Sequence, residues 1–354
     1  MKRLIVIGGV IALAVAADGA QARYTATRDG DVVRLADTRR NMVVSVLTTV
    51  SNAYDIAVNG HNVLRMPFKS VEEFRAKPGL NGIPLMAPFA NRLDEQAFYA
   101  NGKKYNFDME LGNVRGAIPI HGFLMNATDW TLVEARADGK AAWVTNRLEF
   151  YRNPQYMAQF PFAHTITITY RLDDGALEVR TRLDNLSREP MPVAIGFHPY
   201  FQLTDSTRDE WTLSLGAKTH WLLAPNKIPT GETQPASNVL GDPLNVSLKG
   251  LSLDDGFSDF ERDAQGRGVV SLKGKTQQLD VLIGRNYKVA LIYTPPLPKD
   301  PLARGSVAIE PMAGITNAMN LAHKGLYKDL QSIPPNGSWE ESFWIRPRGF
   351  GHRQ

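Results

Sequence analysis

Apolar and polar residues alternate over several stretches of this chain. Residues 131–135 (TLVEA), 164–172 (HTITITYRL) and 176–184 (ALEVRTRLD) follow a period of two. That period buries one face of a strand and leaves the other in solvent. Asp174-Gly175 separates the last two stretches, and Asp-Gly favours the tight turn of an antiparallel hairpin. Further strand patterns run over 211–215, 269–272, 279–283, 288–293 and 306–309, punctuated by turn residues. Ser70-Val-Glu-Glu73 has the form of a capping box and predicts a helix of about two turns ending at Pro78-Gly79. There is no strand–helix alternation, internal repeat or linker-like shift in composition. The pattern predicts an all-β fold, with one antiparallel domain over residues 23–354, two packed sheets and few short helices.

The N-terminus departs from this pattern. Lys2 and Arg3 precede an unbroken run of apolar residues and glycine from Leu4 to Ala17, and Ala20-Gln21-Ala22 follows. A short positive region, an apolar run and a small-x-small site are the parts of a secretory signal peptide. The run falls short of the roughly 20 residues that a spanning helix needs. Residues 1–22 are therefore expected to be an export signal, leaving a periplasmic or secreted protein with no membrane segment after cleavage.

Composition removes several kinds of chemistry. The chain has no cysteine, which excludes disulfides, a thiol nucleophile and thiolate metal sites. Forty Lys and Arg against 36 Asp and Glu leave a net charge of +4, too weak and diffuse to point to nucleic acid. The seven histidines are scattered, without metal-ligand spacing. No G-x-S-x-G elbow is present, nor any glycine-rich phosphate loop.

Four segments set polar residues among apolar ones. In 86–94 (MAPFANRLD), Asn91 and Arg92 follow an apolar run. A buried arginine must meet a protein carboxylate or ligand oxygens. In 118–123 (IPIHGF), His121 stands at a strand end before glycine, as a structural or a functional histidine could. In 194–201 (AIGFHPYF), His198 lies among aromatics before a proline that interrupts strand pairing. An aromatic wall with one polar group suits a sugar, and it equally suits a core cluster around a buried histidine. In 307–312 (VAIEPM), Glu310 ends an apolar strand. A carboxylate there is a candidate general base if desolvated or paired, or an ordinary solvated strand-end Glu.

Taken in order, these segments resemble the aldose 1-epimerase family, also called galactose mutarotases. The matching stretches are 91–107 (NRLDEQAFYANGKKYNF), 120–130 (IHGFLMNATDW), 196–203 (GFHPYFQL), 253–257 (LDDGF) and 309–320 (IEPMAGITNAMN). The tail from Ile333 to Trp339, followed by Phe343-Trp344, is similar to the family's closing strands. The resemblance implies a galactose mutarotase-like β-supersandwich and interconversion of the α and β anomers of a free aldohexose. It implies Glu310 as general base, His198 as general acid and His121 as a donor near the ring oxygen. It further implies that Asn91, Arg92, Asp254 and Tyr200 hold the sugar, with Asp254 preferred to Asp255. The substrate would be a small aldose, with neither cofactor nor metal.

Two departures stand out. Leu291, in ALIYT, takes the place of a glutamine in the family's galactose enzymes, removing one hydroxyl contact. Phe123 follows His-Gly where those enzymes more often have a second glycine, and is expected to reshape the cleft. Two other readings of the same fold are a hexose-6-phosphate epimerase, which needs a basic cluster and a cytosolic substrate, and a non-catalytic sugar-binding protein.

Overall fold

The three alternating segments belong to one nine-stranded sheet. In the computed structural model, which describes residues 22–297 and 305–351, strands Ala142–Leu148, His164–Asp173, Ala176–Asn185 and Ser338–Arg348 lie side by side. Thr131–Ala137 forms one edge. Gln278–Ile283, Gly268–Lys273, Thr212–Leu215 and Val246–Ser247 complete the sheet on the other side. All pairings are antiparallel. The hairpin at Asp174-Gly175 has positive φ at both turn residues, 44° and 72°, as a type I′ turn requires.

A second antiparallel sheet of eight strands packs against the first. Its order is Pro229–Pro235, Ala217–Leu223, Asp254–Phe260, Val289–Tyr293, Val307–Met312, Gly196–Phe197 and Leu85–Met86, with Tyr200–Phe201 also paired to Val307–Met312. Phe257, Ile292, Ile309 and Phe197 of this sheet share one buried core with Val179, Val281 and Phe343 of the first. Phe197 and Phe343 meet with ring centroids 5.1 Å apart.

A third sheet of five strands between Tyr24 and Asn62 closes one side of that core with Val33, Leu35, Val44 and Ile56. The sequence pattern predicts only two sheets. Segments such as 42–47 (MVVSVL) are buried on both faces and so show no period of two. The Ser70 helix runs over Val71–Ala76, with the Ser70 side chain accepting from Glu73 N at 3.3 Å. Pro154–Gln159, Ser237–Leu240 and Ala318–His323 are the other α-helices among the described residues. Apart from Ala22, the expected export signal lies outside the described residues.

Candidate active site

The register of the eight-stranded sheet assembles the site. Glu310 pairs with Leu291 on one side. On the other side, Gly196 pairs with Met312 and Tyr200 with Ala308. Continuing that register places His198 opposite Glu310, where pairing lapses between Phe197 and Tyr200. The row His198–Glu310–Leu291–Gly256 therefore crosses one face of the sheet. Two residues along, on the same face, runs the row Tyr200–Ala308–Tyr293–Asp254.

Glu310 is not at a strand end, as its proline neighbour suggests, but inside the strand Val307–Met312. Ala313 donates its N–H to Ile195 O at 2.8 Å, so Pro311, two residues earlier, turns its nitrogen to the same side. There the neighbouring strand is broken at His198-Pro199, and no ladder bond is lost. The same break frees His198 from pairing with Glu310; its N–H goes to Pro84 O at 3.1 Å.

His198 Nε2 lies 3.1 Å from Glu310 Oε1, and both side chains are buried. The approach lacks the alignment of a hydrogen bond. Neither Glu310 oxygen, nor Nδ1 of His198 or His121, has a hydrogen-bond partner among the described residues. Buried polar atoms are rarely left so. The His121 ring stands edge-on to His198, with centroids 5.1 Å apart and planes at 83°. A carboxylate and an imidazole acting on a sugar's anomeric hydroxyl and ring oxygen need not stand on opposite sides. Those two oxygens share one carbon, so neighbouring groups reach both.

Left-handed backbone aims the remaining polar residues. Asn91 and His121 both have positive φ, 57° and 62°, and His121 N donates to Asn91 O at 2.8 Å. A Cβ on Gly122 (φ 60°) would come within 2.0 Å of Ala87 O, so only glycine lets these segments touch. Asn91 Oδ1 accepts from Arg92 Nη1 at 2.9 Å, and Arg92 Nη2 donates to Asp254 Oδ2 at 3.0 Å. Arg92 thus finds a protein carboxylate, and only the amide nitrogen of Asn91 remains to meet a ligand. Asp255 instead takes His220 Nε2 at 2.8 Å, which gives a structural setting to a histidine that stands in no motif.

Electrostatics follow from burial. Desolvation first, and then Asp254, hold the Glu310 carboxyl well above its usual range, with Arg92 opposing. Desolvation, assisted by Arg65, Arg115 and Arg92, pushes His198 well below the usual imidazole value. His121 moves down for the same first reason, helped by His198. Low dielectric favours the neutral members of the pair. Burial also raises the Tyr200 phenol, with Glu310 contributing next, so its hydroxyl stays protonated.

Sequence reasoning missed Arg65, whose guanidinium lies 4.2 Å from the centroid of the Tyr200 ring, and Tyr293, 6.2 Å from that ring. Arg65 stands in no motif, and Tyr293 lies in the ALIYT stretch, where attention falls on Leu291. Phe123 does not reshape the cleft: its ring packs with Phe107, Phe150 and Tyr156 in the main core. Among the described residues no group of three or more His, Asp and Glu is placed to hold a metal ion, and no helix is long and apolar enough to cross a membrane.

The chain belongs to the aldose 1-epimerase family, whose sequence profile matches residues 31–346. Membership places it among isomerases of small sugars. The fold is that of a galactose mutarotase-like protein from Clostridium acetobutylicum, at 21% identity and TM-score 0.78 over 92% of this chain and 98% of the other. The GalM/aldose epimerase homologue from C. elegans is similar at 19% identity and TM-score 0.71, covering 88% and 97%. Galactose 1-epimerase from Lactobacillus acidophilus NCFM is similar at 13% identity and TM-score 0.70, covering 92% and 98%.

Proposed function

We propose that the protein is a mutarotase that interconverts the α and β anomers of a free aldohexose. The observation that carries this reading is the contact of His198 Nε2 with Glu310 Oε1 at 3.1 Å in a buried row whose carboxylate oxygens have no hydrogen-bond partner among the described residues.

In this reading Glu310 takes the proton of the anomeric hydroxyl and His198 delivers one to the ring oxygen. The C1–O5 bond breaks, C1 rotates, and closure reverses both transfers. Each general acid or base contributes typically ~10²–10⁴-fold. Opening converts carboxylate and imidazolium into carboxylic acid and imidazole, the neutral forms that burial favours. Burial holds the resting pair as carboxylic acid and imidazole, so the shared proton first moves from Glu310 to His198, and ring opening returns the pair to the forms burial favours. His121 serves as a donor near the ring oxygen. Arg92, Asp254, Tyr200 and the amide nitrogen of Asn91 hold the other hydroxyls while C1 turns. The pairing of Arg92 with Asp254 leaves that arginine less available to a phosphate, which favours a free sugar.

The leader-like residues 1–22 support export as part of the same proposal, with the isomerase acting outside the cytoplasm. The test is polarimetry on freshly dissolved α-glucose, α-galactose and other α-aldoses, with Glu310→Gln as control. Acceleration of at least one sugar by the wild type alone is expected. No acceleration of any sugar, or equal acceleration by the variant, refutes the assignment.

A further inference from the structure

The outer face of the nine-stranded sheet carries a second polar concavity. Trp344 and Arg346 alternate with the fully buried Phe343 and Ile345, and Arg171 with Tyr170 and Leu172, so their side chains leave the core for the opposite face. The turn at Thr38–Met42 and Asn59 walls this face into a cavity of about 1110 Å³. No residue of the eight-stranded sheet lines it. Its size lies just above the range of roughly 300–1,000 Å³ for small-molecule sites, which admits more than one sugar ring.

Its charge is lopsided. Six arginines line it against three carboxylates, Asp173, Asp174 and Glu178. Asp174 is shared by Arg23 and Arg40, at 2.7 and 3.0 Å. Arg171 pairs with Asp173 at 2.7 Å, and Arg348 with Asp280 at 2.9 Å. Arg267 pairs with Asp263 at 2.7 Å and lies 5.4 Å from the centroid of the Trp344 ring. Arg39 and Arg346 meet no carboxylate among the described residues, so two guanidinium forks remain for a ligand.

We propose that this groove binds an acidic oligosaccharide, a chain of uronate type, at a site separate from Glu310. Guanidinium forks match carboxylates in bidentate geometry. The groove carboxylates can accept from sugar hydroxyls, and the indole offers an apolar floor to a sugar face. The same carboxylates oppose the dense charge of a phosphate backbone, which favours a saccharide over a nucleic acid. The inference does not depend on the catalytic reading.

Calorimetric titration of the full protein with tetragalacturonate tests it. Arg39→Ala/Arg346→Ala is compared with the wild type and with Glu310→Gln; the double variant is checked for an unchanged melting transition, and Glu310→Gln for a single cooperative transition no lower than that of the wild type. Wild type and Glu310→Gln should bind alike. The double variant should bind at least about tenfold more weakly, with its action on free monosaccharides unchanged. Binding should weaken from 50 to 200 mM salt, as screening of exposed charge requires, and neutral maltotetraose should not bind. No heat with tetragalacturonate at millimolar concentration overturns the proposal. So does binding lost in Glu310→Gln but kept in the double variant, which would put the ligand in the cleft. Equal affinity for a short single-stranded DNA would make the groove a general anion surface and also overturn it.

Discussion

Leu291 is the cross-strand partner of Glu310, and it is only 3% exposed. Directly opposed side chains in antiparallel strands have Cβ atoms about 4.5–5.5 Å apart, so the residue at 291 sets the surroundings of the carboxylate. Here it joins Val289, Met312 and Ile315 in a small apolar cluster, and its side chain offers Glu310 no donor. Leu291→Gln would bring an amide N–H within reach. A donor to the ionised carboxylate lowers its pKa. The acid limb of the pH–rate profile should therefore move to lower pH in this variant, with a stability cost of about 1–3 kcal/mol if the amide is left unpaired. An acid limb in its original place would show that residue 291 does not tune the base.

Glu310→Gln should lower mutarotation by ~10²–10⁴-fold while raising thermal stability at neutral pH. The sign follows from burial, which raises the carboxyl well above 4.5. Between that ordinary value and the folded one, the unfolded chain is ionised while the folded chain holds its proton, so wild-type stability falls as pH rises. The melting temperature of the variant should exceed that of the wild type by a margin that grows from about pH 4 toward neutrality. A margin that does not vary with pH would argue against a strained carboxyl.

His198→Asn should be similarly slow, and its stability carries the opposite pH signature. The folded imidazole is held well below 6.5 by burial, so the unfolded chain binds the extra proton first as pH falls. The wild type should lose stability below about pH 6.5, and the variant should lose less over the same interval. Parallel melting-temperature curves in acid would remove His198 from the buried titrating groups.

Asp254→Asn leaves Arg92, whose side chain is 7% exposed, without its carboxylate. Part of that cost falls on folding, below the ~3–5 kcal/mol of a fully buried pair because Asp254 is itself 19% exposed. If the pair holds sugar hydroxyls, KM should rise about tenfold or more while kcat falls less. A fall in kcat alone would place Asp254 nearer the proton transfers than a hydroxyl clamp stands.

Gly122→Ala should disrupt the His121 segment, since its Cβ would collide with the Ala87 carbonyl oxygen. Loss of both stability and activity is expected, measured by thermal melting and polarimetry. Wild-type behaviour in both would show that the two segments can separate.

The long hairpin of strands His164–Asp173 and Ala176–Asn185 was legible in the sequence because polar residues occupy every second position, threonines and Arg171 on the first strand and Glu178, Arg180 and Arg182 on the second, so the period of two survives. The N-terminal five-stranded sheet was not, since strands such as 42–47 are buried on both sides. Family motifs pointed to Glu310, His198, His121 and Arg92, and the fold brings them to one place. What the motifs could not supply was register. Whether Glu310 sits at a strand end or inside one depends on which way Pro311 turns its nitrogen, and that is decided by a break in the neighbouring strand. Arg65 reaches Tyr200 from a distant segment with no local signature, which no reading of spacing would find.

The burial of His198 and Glu310 has a consequence for how the proposed reaction meets solvent. The pair holds one proton at every stage: carboxylic acid with imidazole at rest, carboxylate with imidazolium once that proton shifts to His198, and carboxylic acid with imidazole again when the ring is open. The cleft keeps the same total charge at each stage and ends each turnover as it began. Such a site needs no chain of water molecules to the outside and no buffer to reset it, so its turnover should be indifferent to buffer concentration. If the protein is exported as proposed, to a compartment whose acidity follows the surroundings, it carries its working proton with it.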